Sequence, residues 1–107
     1  IMLIIKLKPI RSETETQASW EAPVLTVNNV LYDLSLLEDG ASAIGHPVLG
    51  DVTRIGNDYE CALVLGHGRD APKATRFPAS LAITQDGAIE LPLYDAVITY
   101  EEVPTDV

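Results

Sequence analysis

The sequence predicts an all-β domain, a small antiparallel sandwich or open barrel built from hairpins with little helix. Three observations carry this. Residues 24–34 (Val-Leu-Thr-Val-Asn-Asn-Val-Leu-Tyr-Asp-Leu) bring two apolar runs together at Asn28-Asn29, and asparagine tolerates the positive φ of a two-residue type I′ turn. Residues 3–8 alternate Leu3, Ile5 and Leu7 with Ile4, Lys6 and Lys8, the period-2 signature of a strand covered on one face. Residues 52–55 and 59–65 flank Gly56-Asn57-Asp58 and read as a second hairpin.

Taken in order, the first strand is expected to end at Pro9, which has no N–H for a ladder. Ser12-Glu13-Thr14-Glu15 has the letters of a helix capping box. No apolar stripe at helical spacing follows it, so a polar edge strand is expected instead, with Thr14, Thr16, Ala18 and Trp20 on one side. In the 24–34 hairpin Val27 should face Val30 and Leu25 should face Tyr32. Residues 35–50 contain Gly40, Gly45, Pro47 and Gly50 and read as a loop with room for one short helical turn. In 59–65, Tyr59, Cys61, Leu63 and Leu65 share one face and Glu60, Ala62 and Val64 the other; a strand largely apolar on both faces lies centrally in a sheet or is covered on both sides. Residues 66–80 read as a long polar loop. Residues 81–84 and 89–91 are expected to form a third hairpin across Gln85-Asp86-Gly87-Ala88. Pro92 should end that strand, a further strand fits 96–100, and the acidic 101–107 is expected to fray. The domain is thus 1–100, with a C-terminal tail at 101–107.

A chain of 107 residues, 47% apolar and only 6% aromatic, is a single domain whose core rests on Leu, Val, Ile and Ala. Its net charge of −9 is uneven. Lys6, Lys8 and Arg11 stand without an acid in residues 1–11, whereas residues 12–66 set Arg54 alone against nine acids. Such a field repels a phosphate backbone, so no nucleic-acid partner is expected. The single cysteine, Cys61, allows no internal disulfide and reads as a packed thiol. The apolar start is interrupted by Lys6 and preceded by no basic region, so it reads as a strand, with no membrane partner and a cytoplasmic location expected.

No residues form a recognisable catalytic or cofactor motif. His46, His67 and Asp70 could supply metal ligands, but no paired-ligand spacing supports them, and no metal or cofactor is expected. Cys61 could serve as a nucleophile beside a histidine only from an exposed position, and its alternation points inward. Gly66-His67-Gly68 suggests an anion-cradling turn with Arg69, though a two-glycine loop between strands reads the same way. The lone Trp20 is either an exposed interface anchor or the largest core residue. Long loops on a rigid β scaffold carry recognition, which makes the 66–80 loop the expected contact region. The candidate contact residues are Trp20, His67, Arg69, Lys73 and Arg76.

Several stretches together resemble short uncharacterised proteins of tailed bacteriophages and prophages. They are 3–12 (Leu-Ile-Ile-Lys-Leu-Lys-Pro-Ile-Arg-Ser), Leu25-Thr26-Val27-Asn28, Gly50-Asp51-Val52-Thr53-Arg54-Ile55, Leu63-Val64-Leu65-Gly66-His67-Gly68, Ala71-Pro72, Phe77-Pro78, and Asp86-Gly87 with Leu91-Pro92. Asn29 stands where that pattern would carry glycine. The resemblance implies a virion or tail-assembly component and no known activity. Together with the unpaired edges of a small sheet, it leads to the expectation of a non-enzymatic structural or interaction protein that self-associates as a homo-oligomer or binds a protein partner. A small module binding a sugar or peptide through the 66–80 loop with Trp20 or Tyr32 is the second expectation, and a metal-dependent hydrolase using His46 and His67 the third.

Overall fold

The computed structural model describes residues 1–96. The expected strand at 96–100, apart from Ala96, and the tail at 101–107 lie outside the described residues. Among the described residues nine strands form two open sheets. They are β1 (Leu3–Arg11), β2 (Ala18–Glu21), β3 (Val24–Val27), β4 (Val30–Asp33), β5 (Ser42–His46), β6 (Gly50–Ile55), β7 (Asp58–His67), β8 (Leu81–Ile83) and β9 (Gly87–Ala88), with one helical turn α1 (Lys73–Arg76) between β7 and β8. One sheet runs β5-β6-β7-β1-β8 and the other β4-β3-β2-β9. Neither closes, and the two pack their apolar faces into one core, as a small all-β fold does.

Alternation explains which side of each strand faces inward. Leu3 and Ile5 of β1, Val52 of β6, and Tyr59, Cys61 and Leu63 of β7 meet Trp20 of β2 and Leu25 and Val27 of β3 in one buried cluster. Trp20 meets Tyr59 of the opposite sheet edge to face, ring centroids 6.0 Å apart, a favoured geometry for two aromatic quadrupoles. The central position expected for 59–65 is found: β7 lies between β6 and β1.

The β3–β4 hairpin has the register read from the sequence, with Leu25 opposite Tyr32 and Val27 opposite Val30. Asn28 (φ 48°) and Asn29 (φ 68°) are both left-handed, as a type I′ turn requires. The β6–β7 hairpin closes with Ile55 opposite Asp58, so its turn is Gly56-Asn57, one residue shorter than expected.

Four sequence readings are corrected. β1 runs on past Pro9 to Arg11 in parallel register with β7; β8 covers β1 only over Leu3–Ile5, so proline falls where one side of the strand is open. Residues 42–46, read as loop, form edge strand β5. The polar strand expected from Thr14 starts only at Ala18: Ser12 Oγ accepts the Thr14 N–H at 3.1 Å and bends the chain before it. The third hairpin does not form, because β8 pairs with β1 in one sheet and β9 with β2 in the other. Between β1 and β2, Thr16 fastens the crossing segment to β7: its hydroxyl donates to the Val64 carbonyl at 3.1 Å and accepts the Gly66 N–H at 2.9 Å. A Cβ at Gly66 would strike the Thr14 carbonyl oxygen, so glycine is required there.

Candidate interaction site

One flank of the sandwich is open and apolar. Among the described residues β4 ends one sheet and β5 ends the other, so each presents a strand edge unpaired by them. Between them lies a cleft of about 410 Å³ floored by Leu34, Leu49 and Val52 and walled by Tyr32, Leu37 and Ala43. The local sequence explains how it arises. Asp33 accepts the Ser35 N–H at 3.0 Å and starts a 3₁₀ turn at Leu34–Leu36. Three residues per turn cannot place Leu34, Leu36 and Leu37 on one buried side. Leu34 therefore goes in, Leu37 half in, and Leu36 is left 84% exposed.

Leu31 on β4 lines the cleft and is 70% exposed, and Ile44, next in the chain to the lining residue Ala43 on β5, is 77% exposed. Scattered exposed apolar residues are ordinary, but a contiguous group at a cleft marks an interaction surface.

The cleft is held open by polar fastenings at its ends. His46 Nδ1 accepts the N–H groups of Val48 and Leu49 at 3.1 and 3.0 Å, which requires a lone pair there and places the ring proton on Nε2. The same ring meets Tyr32 edge to face at 5.3 Å and bridges the two sheets. Arg54 is the one cation nearby, and its guanidinium is occupied: it donates to the Leu37 carbonyl at 2.8 Å and the Gly56 carbonyl at 2.9 Å, and lies over the Tyr59 ring. Asp33 lines the cleft, and Glu38 and Asp39 follow Leu37 directly. The rim is acidic.

The residues singled out in the sequence lie elsewhere. Trp20, 1% exposed, belongs to the core and has no surface to offer. His67 ends β7, half-buried, with Nδ1 3.0 Å from the Gly68 carbonyl. Arg69, Lys73 and Arg76 are exposed along the 66–80 segment, whose middle forms α1 and docks on β1 and β7 through fully buried Thr75. The Thr75 hydroxyl donates to the Leu93 carbonyl at 2.7 Å. Beside Arg69 is a cleft of about 320 Å³ in which Arg11 and Arg69 are mixed with Glu13 and Asp95. It favours neither sign of ligand, and Asp95 already accepts the Asp70 N–H at 2.9 Å.

His46, His67 and Asp70 are not brought together, and among the described residues no three His, Cys, Asp or Glu side chains are grouped to hold a metal ion. Cys61 is buried, and desolvation, followed by the neighbouring Glu60 carboxylate, pushes its thiol up to about 12. Such a group stays protonated and is no nucleophile near neutral pH. No helix among the described residues is long and apolar enough to cross a membrane.

The sequence reasoning missed Leu31, Leu36, Leu37, Ala43 and Ile44. A signal was present: five leucines between 25 and 37 exceed what one alternating face can bury. No family model, no curated protein and no solved structure matches this chain.

Proposed function

We propose that this chain is a non-enzymatic interaction domain that self-associates through the apolar cleft between β4 and β5. The observation that carries the reading is the coincidence, among the described residues, of two sheet-edge strands with a leucine-lined cleft that includes the exposed side chains Leu31 and Leu36. Unpaired edges and exposed apolar surface are both relieved by contact with another chain. The resemblance to phage and prophage proteins supports a structural role in a virion or its assembly.

Sedimentation velocity over a range of protein concentrations tests this directly. The wild-type protein is expected to sediment faster as concentration rises, and Leu36→Glu to weaken association by about tenfold or more, as loss of a central apolar contact does. Leu36 is solvent-exposed, so its replacement leaves the fold intact. A wild-type protein that stays monomeric throughout, or a Leu36→Glu variant that associates equally well, would overturn the reading.

A further inference from the structure

We infer that the cleft receives the Phe77 segment of a second copy, so that copies join head to tail. This rests on the self-association reading above and names what enters the cleft. Phe77 directly follows α1 and is 73% exposed. It is the only phenylalanine in the chain, and a ring that exposed contributes little to its own fold.

Its surroundings have the opposite charge to those of the cleft. In a chain of net charge −9, the segment from Arg69 to Arg76 carries Arg69, Lys73 and Arg76 against the single acid Asp70. At the cleft, Asp33 is the one charged side chain of the lining, and exposed Glu38 and Asp39 follow the lining residue Leu37 in the chain. Asp33 accepts from Ser35 and Asp39 from the Gly56 N–H, and Arg54 is engaged with backbone carbonyls. Among the described residues the one salt bridge is Lys6 to Glu60 at 2.8 Å. The basic charges around Phe77 and the acidic charges at the cleft are therefore without ionic partners among the described residues. An aromatic side chain next to Lys73 and Arg76 fits an apolar cleft whose one charged lining residue is Asp33, and the opposite signs favour this orientation over cleft-to-cleft contact.

The topology sets the geometry. α1 packs on β1 and β7, whereas the cleft lies along β5, at the sheet edge beyond β6. The two surfaces are thus distinct parts of one molecule. A contact between different surfaces leaves one of each free, and it propagates into a ring or a filament instead of stopping at a two-fold dimer.

The test is a complementation experiment by sedimentation velocity with the full chain, using Phe77→Glu and Leu36→Glu separately and mixed in equal amounts. Both positions are exposed, and unchanged thermal unfolding of each variant confirms that the fold is kept. Wild type is expected to grow beyond dimers, and each variant alone to remain monomeric at concentrations where wild type assembles. The mixture should form a dimer and stop there, because one intact cleft meets one intact Phe77. Added salt should weaken wild-type assembly through screening of the charged surround. If Leu36→Glu abolishes association and Phe77→Glu does not, the cleft is the interface but Phe77 is not its occupant, and this inference fails while the function stands. A mixture that stays monomeric also overturns it. If neither variant changes assembly, both the inference and the function fall.

Discussion

Cys61 faces the core from β7, and burial holds its thiol protonated up to about 12, against 9.0 for an unperturbed thiol. The consequence for stability has a definite sign. Below about 9 both folded and unfolded chains keep the proton, and the group contributes no slope. Between 9 and 12 the unfolded chain releases a proton that the folded chain retains, so the unfolded state gains and stability falls as pH rises. The slope approaches about 1.4 kcal/mol per pH unit. Urea unfolding at pH 8 and pH 10 is expected to show wild type losing about 1 kcal/mol more than Cys61→Ala over that interval. Lysine and tyrosine titrations are common to both proteins and cancel in the comparison. Parallel pH profiles would mean that the thiol is not desolvated as described.

The β3–β4 hairpin separates two uses of asparagine. Asn28 and Asn29 both take positive φ, but Asn28 also reaches outside the turn. Its Oδ1 accepts the Gln17 N–H at 2.9 Å, and its own N–H donates to the Gln17 carbonyl at 2.9 Å. Asn29→Gly is expected to change stability by less than about 0.5 kcal/mol, since glycine suits the same conformation. Asn28→Gly should cost about 1 kcal/mol or more through the lost side-chain acceptor. Urea denaturation of the two variants checks the difference, and equal costs would contradict it.

That hairpin was legible in the sequence because its register depends on a two-residue turn and adjacent side chains. β7 was legible for a similar reason, since apolar residues on both faces imply a central strand. Other elements depend on partners remote in sequence. β5 carries Gly45 and mostly exposed residues, and it is a strand because β6 pairs with it and Asp51 accepts the Gly45 N–H at 2.8 Å. Asp86-Gly87 carries a local hairpin signal, but Asp86 instead accepts the Ala22 N–H at 3.1 Å and draws Gly87–Ala88 to β2. The cleft draws its lining from β4, the 3₁₀ turn, β5 and β6, so no single stretch of sequence displays it. The basic 66–80 segment was visible as a candidate contact region. The apolar cleft was not, and Trp20 proved a core residue, its ring packed edge to face on Tyr59 of the other sheet.

At the scale of the molecule, two small sheets bury one continuous core and leave two strand edges side by side. Natural sheets commonly protect such edges with charge, proline, bulges or cover; β5 carries an irregularity between Ala43 and His46, yet β4 and β5 still expose Leu31 and Ile44. That flank joins two sheet edges to an apolar cleft. Hydrogen exchange over β4 (Val30–Asp33) and β5 (Ser42–His46) reads its use most directly. On raising the protein from ~10 μM to ~1 mM, amides of these two strands and of the Leu34–Leu36 turn are expected to gain protection while β7 stays unchanged. Identical exchange at both concentrations would contradict the claim that this flank joins one copy to the next.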